Sequence, residues 1–157
     1  MNAYRAKPLN FPWPPLLYGG AMLAALVLGR IHPIGVVHSN GWAPWLAGSS
    51  FIILAVSLDL WAMKTLIDRK TTVMPHRASS HLVTCGPFRL TRNPIYLGYT
   101  FVMVGVGLIM LNPWFFITAI VTTMITTAFA VRYEELHLHS RFGFEFERYC
   151  RHTSRWL

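Results

Sequence analysis

Four apolar runs, with charge confined largely to the intervals between them, limit this chain more than any other feature. They are Pro14–Gly29, Pro44–Met63, Ile95–Leu111 and Trp114–Val131. A helix that crosses a bilayer needs about 20 apolar residues, with a range of about 17–25. The first and third runs lie near the short limit, which predicts tilted neighbours or local thinning of the bilayer. Backbone groups in lipid have no water to bond, so a chain of this kind spans as helices. The expected fold is therefore all-α: a polytopic membrane helical bundle of about four transmembrane helices. Composition agrees, because 54% of the residues are apolar and only 13% are charged, against roughly 25% charged in soluble domains.

The basic residues predict an orientation. Arg5 and Lys7 precede the first run; Lys64, Arg69, Lys70, Arg77, Arg89 and Arg92 lie between the second and third; Arg132, Arg141, Arg148, Arg151 and Arg155 follow the fourth. Arg30 alone lies on the other side. The positive-inside bias then makes both termini and the central loop cytoplasmic. The net charge of +8 thus reads as topology and attraction to anionic headgroups, and not as a nucleic-acid surface. Cys85 and Cys150 both fall on that reducing side and make no disulfide framework. No cleavable leader pattern opens the chain, and with its short length this leads us to expect a bacterial inner membrane.

We read one domain over residues 1–157: two spans in 1–63, a cytoplasmic loop in 64–94, a helical hairpin in 95–131 and a cytoplasmic segment in 132–157. The third and fourth runs are separated by Asn112-Pro113 alone, so they form an antiparallel hairpin, and Pro113 suits the first turn of the second helix. Gly98, Gly105 and Gly107 line the third run, which fits close helix packing or a backbone approached by a ligand. Asp59, an acid inside the second run, is either a structural hydrogen-bonding group or faces substrate; Lys64 is a conceivable partner at a poor helical spacing.

Polar chemistry collects in two places. The loop contains "SSHLVTCGPFRLTRNP", with turns at Gly86-Pro87 and Asn93-Pro94. Pro94 opens a helix whose first turn presents free N–H groups beside Arg92 and Asn93, a setting that favours an anion. Arg89 and Arg92 are otherwise interfacial anchors. The C-terminal segment begins with the pair Glu134 and Glu135. Phe142, Phe146 and Tyr149 follow at i, i+4 and i+7, giving one aromatic face, interrupted by Gly143. This predicts a C-terminal amphipathic helix that lies on the bilayer or covers the loop containing Arg92. The histidines make no metal site: His137 and His139 diverge by about 200° around a helix, and His76 and His81 lack ligand partners at suitable spacing. No H-E-x-x-H, C-x-x-C, P-loop, G-x-S-x-G or dinucleotide fingerprint is present.

The ordered motifs "LVTCGPFRLTRNPIYLGY", an apolar run, an "NP" turn, a second run and "EELHLHSRFGFEFERYCRHTSRWL" resemble the isoprenylcysteine carboxyl methyltransferase family and its phospholipid methyltransferase relatives, over about Ser79 to Leu157. The resemblance implies an integral membrane enzyme that uses S-adenosylmethionine, leaving S-adenosylhomocysteine. It implies cofactor contacts at Leu82, Val83, Gly86, Phe88, Asn93, Tyr96, Glu134 and Glu135, with Gly105 and Gly107 resembling a G-x-G associated with the cofactor in phospholipid methyltransferases. Asn93 stands where the eukaryotic carboxyl methyltransferases have histidine, so an imidazole acid–base role does not transfer, since Asn does not titrate near neutral pH.

A sulfonium activates its own methyl group, so the protein's part is position and dryness. The acceptor expected first is a lipophilic carboxylate, as in the isoprenylcysteine carboxyl methyltransferases that the motifs resemble; it would need only an orienting arginine, Arg92 first and Arg132 second. An amine acceptor would need a proton acceptor, for which Glu135 is the candidate. A thiol acceptor, an NADPH-dependent reductase of the sterol-reductase kind and a non-enzymatic membrane scaffold are the competing readings. A reductase would want arginines and lysines clustered around phosphates. The expected partners are the bilayer and a lipophilic or lipidated acceptor, not nucleic acid.

Overall fold

The computed structural model describes residues 13–35, 41–70 and 81–157. Arg5, Lys7, His76 and Arg77 of the sequence argument lie outside the described residues. Among those described, the regular structure is helical: α1 (Trp13–Ile31), α2 (Ala43–Asp68), a 3-10 turn (Gly86–Arg89), α3 (Pro94–Ile109), α4 (Trp114–Thr126), a π-helical segment (Thr127–Val131), α5 (Arg132–Phe142) and α6 (Phe144–His152).

Prolines set several starts. Pro44 and Pro94 stand in the first turns of α2 and α3, and Pro113 caps α4; at those positions their missing N–H groups leave no intrahelical bond unmade. Among the described residues, three helices are long and apolar enough to cross a membrane: Pro14–Ile31, Ala43–Asp68 and Trp114–Phe142. This refines the expected count of four. Helix α3, although apolar, has 16 residues, a length of about 24 Å at ~1.5 Å per residue, short of the ~30 Å hydrocarbon core. It packs against α2 and against α4, whose helix runs on through the π segment into α5. The outward faces of the long helices carry Leu23, Val27, Ile53, Leu60, Ile120 and Met124, all well exposed, as a lipid-facing surface requires.

The connection between α3 and α4 spans Met110 to Pro113, longer than Asn112-Pro113 alone, because α3 ends at Ile109 and Leu111 takes a positive φ of 50°. The hairpin itself is as expected. Asn112 Nδ2 donates to the Ala25 carbonyl at 3.1 Å, and Asn112 Oδ1 accepts from the Trp114 N–H at 3.1 Å, so this one side chain ties α1 to the turn. Along the α2–α3 seam, a Cβ on Gly48 would meet the Gly105 carbonyl at 2.5 Å, and one on Gly105 would meet the Gly48 carbonyl at 2.7 Å. The two backbones touch there, which only glycine permits.

The C-terminal segment differs from a single amphipathic helix. The helix of the fourth run does not stop at Val131 but continues through the π segment into α5. It breaks at Gly143, whose φ is 50°, and α6 departs in a new direction. Phe146 and Tyr149 are buried on α6, whereas Phe142 lies beyond the break and is only partly covered.

Candidate functional site

The loop before α3 is anchored first. Gly86 takes φ +62°, and a Cβ there would meet Thr65 Oγ1 of α2 at 2.7 Å; the 3-10 turn therefore seats directly on α2. The same turn presents the Phe88 carbonyl, which accepts a hydrogen bond from Tyr149 Oη of α6 at 2.6 Å. The chain after α6 lies across residues 91–93. The Arg92 N–H donates to the Ser154 carbonyl at 3.0 Å, while Thr91 Oγ1 and Asn93 Nδ2 both donate to the Arg155 carbonyl, at 3.1 and 2.8 Å.

Of the two acids in the first turn of α5, one meets this strap. Glu135 receives Arg155 through two bonds, Nε to Oε1 at 2.9 Å and Nη2 to Oε2 at 2.6 Å. Arg92 Nη1 also reaches Glu135 Oε1, at 2.9 Å, and donates to Cys150 Sγ at 2.8 Å. Glu134 instead accepts from Tyr96 Oη at 2.5 Å. The pair thus divides its work, with Glu135 clamped by arginines and Glu134 held by a phenol. Burial pushes the Tyr149 hydroxyl well above its ordinary range and raises the Cys150 thiol too, with Arg92 opposing part of that rise. The hydrogen bond to Glu135 raises the already basic Arg155.

These groups enclose a cavity of about 90 Å³ bounded by Leu66, His81, Leu82, Val83, Phe88, Arg92, Asn93, Glu134, Glu135, Leu138, Phe146 and Tyr149. A second cleft of about 430 Å³, between Asp68–Lys70 and His81–Cys85, shares the wall His81–Val83. The first alone is below the ~300–1,000 Å³ of small-molecule sites, whereas the second lies within that range. A larger open cleft of about 970 Å³ lies at the opposite end of the bundle, between α1 and the Asn112 turn. Its described lining holds Arg30 as its sole ionisable group, so methyl-transfer chemistry has little to work with there.

Of the sequence candidates, Leu82, Val83, Phe88, Arg92, Asn93, Glu134 and Glu135 line one cavity, and Tyr96 joins them through Glu134. Gly86 acts beneath them, as the anchor to α2. Three do not join. Arg132 is exposed on α5. Gly105 faces Gly48 and Ile52 of α2, and Gly107 faces Phe115 of α4, in the far half of α3. Both glycines make helix contacts there, the first of the two uses open to them. Asp59 packs against Gly98 of α3, Lys64 forms no ion pair with it among the described residues, and Asp59 Oδ1 has no hydrogen-bond partner. Arg92 Nε is likewise buried without one.

Sequence reasoning missed Leu66, Leu138, Cys150 and the strap itself. Arg155 belonged to the terminal basic motif, but nothing local says that it folds back twenty residues onto Glu135. The aromatic spacing did mark Phe146 and Tyr149.

The chemistry on hand suits a ligand that carries an ammonium, a carboxylate and a flat ring. Carboxylates, an arginine with a spare N–H and aromatic side chains converge within one cavity. A family model for phospholipid methyltransferases matches residues 44–145, about two thirds of the chain, from the start of α2 to the first turn of α6. No curated protein and no solved structure matches the chain.

Proposed function

The chain belongs to the phospholipid methyltransferase family, membrane enzymes that generally take their methyl group from S-adenosylmethionine, and on that premise we propose that it methylates a lipid-borne amine beneath its C-terminal strap. That it is a methyl-transferring enzyme follows from the family; the acceptor and the residue roles are our reading. The observation that carries it is the convergence of the loop 82–93 with Glu134 and Glu135 under α6 and the strap.

S-adenosylmethionine, when bound, supplies a methyl group already activated by its sulfonium. The chain's own residues do the rest. Glu135 offers its carboxylate to the cofactor's ammonium. Arg92 Nε, the buried donor without a partner, suits its carboxylate. Phe88, Phe146 and Tyr149 form apolar walls that exclude water and can face a cation. Leu82 and Val83, at the wall shared by the two cavities, control how much volume is joined.

The acceptor reading turns on charge. Arg92 and Arg155 are both committed to Glu135, and the donor that Arg92 keeps spare, Nε, is the one assigned above to the cofactor's carboxylate, so neither of these two arginines is left to orient an acceptor carboxylate as well. Glu134, whose carboxylate accepts a hydrogen bond from Tyr96 and makes no ion pair among the described residues, is the better placed of the two acids to accept an amine's proton. This moves the role of base from Glu135 to Glu134 and favours an amine over the carboxylate expected first. The unpartnered Arg92 Nε supports a carboxylate acceptor as the second reading. The active site faces the cytoplasm if the positive-inside bias governs insertion.

Calorimetry on protein in nanodiscs, titrating S-adenosylhomocysteine and separately NADPH, tests the cofactor. Binding of the first alone is expected; binding of NADPH alone would return the chain to the reductase reading. Incubation with methyl-labelled cofactor and either phosphatidylethanolamine or a long-chain fatty acid then tests the acceptor. Label in the acid alone would reverse the choice of amine.

A further inference from the structure

Glu135 is the acid assigned above to the cofactor's ammonium, and its carboxylate is already taken. Oε1 accepts from Arg155 Nε and from Arg92 Nη1, both at 2.9 Å, and Oε2 accepts from Arg155 Nη2 at 2.6 Å. A carboxylate has about four acceptor positions, so most are filled, and every donor is a cation. An ammonium added to this cluster would set three positive charges around one negative charge. Coulomb repulsion therefore favours exchange over addition. The cavity beneath points the same way. At about 90 Å³ it falls below the ~300 Å³ at which small-molecule sites begin, so a ligand enters only when something that seals it moves.

The two arginines are not equally free to leave. The Arg92 side chain is 15% exposed and has a second hold, Cys150 Sγ at 2.8 Å. The Arg155 side chain is 36% exposed, and among the described residues its guanidinium hydrogen-bonds to Glu135 alone. On leaving, it reaches water by side-chain rotation and regains hydration that Arg92 could not. The strap's backbone is pinned by other groups. Thr91 Oγ1 and Asn93 Nδ2 hold the Arg155 carbonyl, the Arg92 N–H holds the Ser154 carbonyl, and the Thr153 N–H donates to the Tyr149 carbonyl at 3.0 Å. The guanidinium can thus swing out while the strap stays in place. Arg155 does not bound the cavity, so its outward path leads to water and not to the acceptor.

The geometry points to Arg155 as an autoinhibitory stand-in for the cofactor's ammonium: its guanidinium occupies Glu135 until the ammonium displaces it, with Arg92 and the strap's backbone remaining. The inference rests on the assignment of Glu135 to S-adenosylmethionine made above. Arg155 then sets cofactor affinity without touching the cofactor.

The test uses the full chain in nanodiscs and S-adenosylhomocysteine, which keeps the cofactor's ammonium and carboxylate. Arg155→Ala removes the guanidinium and keeps the carbonyl that Thr91 and Asn93 hold. Calorimetric affinity should rise by about three- to tenfold, the scale of a part-exposed bidentate ion pair. Arg155→Lys restores a cation and should give back most of that gain. An analogue of S-adenosylhomocysteine without the amino group should bind the parent and Arg155→Ala alike. Unchanged or weaker binding of S-adenosylhomocysteine to folded Arg155→Ala overturns the proposal.

A second measurement needs no variant. Phenylglyoxal modifies accessible guanidinium groups, and peptide mass spectrometry gives the labelling of Arg155 relative to Arg151, which is exposed on α6. Saturating S-adenosylhomocysteine should raise that ratio about threefold or more, and the deaminated analogue should leave it alone. A ratio that stays level or falls with S-adenosylhomocysteine overturns the displacement, whether or not Arg155→Ala folds. The outcomes also separate this proposal from the cofactor reading. Binding with Arg155 silent in both measurements removes the autoinhibition and leaves the methyltransferase site standing. Binding to Arg155→Ala but not to the parent supports both. Binding to neither removes the cofactor reading, and the displacement with it.

Discussion

The two ends of the α3–α4 hairpin are both polar, and they use polarity differently. At the turn, Asn112 spends its amide on two backbone partners and packs over Gly29; Trp114 Nε1 finds the His32 carbonyl at 2.7 Å. Neither side chain keeps a buried polar atom to spare. At the other end the network is larger but incomplete. Arg92 Nε, Asp59 Oδ1 and Thr126 Oγ1 are buried without partners, and all three lie toward the end where Glu135 meets the strap. Native proteins leave few such groups unsatisfied, and each asks for an explanation. One end holds a turn; for the other, we propose a ligand as the missing partner.

The sharpest way to test that contrast is Glu135→Gln. It removes the charge that two arginines share and that we assign to the cofactor's ammonium. Affinity for S-adenosylhomocysteine is expected to fall by about 1.5–3 kcal/mol, the worth of a charged hydrogen bond, as read by calorimetry. Unchanged affinity in folded protein would mean that Glu135 serves only the strap, and the two ends would then be alike in being structural.

Gly105→Ala should act in the opposite way. Its Cβ would strike the Gly48 carbonyl and Ile52 of α2, neither the loose tip of a flexible side chain alone. Forcing the seam apart should cost about 1–3 kcal/mol of stability, measured by denaturant titration in mixed micelles, with cofactor affinity little changed. A selective loss of affinity would restore Gly105 to the cofactor site, as the resemblance implied. Asn112→Ala is the matching change at the turn. Losing two hydrogen bonds, it should cost about 1–3 kcal/mol of stability and leave calorimetric affinity alone. A fall in affinity without a fall in stability would couple the ends and break the comparison.

How far the sequence reached follows the same division. The spans were legible because lipid demands long apolar helices, and the hairpin because two apolar runs flank Asn112-Pro113. The loop, the acid pair and the α6 aromatics were legible because motif order survives without coordinates. The shortness of α3 lay at the margin of the length rule. The π segment has no local signal, since Thr127–Val131 reads as ordinary apolar helix. Arg155 on Glu135 and the strap over residues 91–93 are contacts across the chain, which composition and period cannot encode. Glycine was ambiguous for a physical reason: a missing Cβ admits a ligand or a helix equally, and only the facing surface, Gly48 for Gly105, decides.

Cys150 offers the smallest effect and the finest probe of the closed end. Its sulfur accepts from Arg92, and burial holds its thiol above the ordinary range while Arg92 pulls the other way. A thiol with a raised pKa stays protonated to higher pH, and only the thiolate attacks an alkylating agent. Iodoacetamide should therefore modify Cys150 in folded protein more slowly than in protein unfolded in dodecyl sulfate, with the rate rising later along the pH axis. Because the strap and Arg92 share Glu135, a bound ligand that draws Glu135 away from the arginines should change this rate, as read by peptide mass spectrometry with and without S-adenosylhomocysteine. A rate equal to that of the unfolded chain at every pH would show that the strap is open in solution. The polar end would then owe its incompleteness to exposure and not to a site awaiting its ligand.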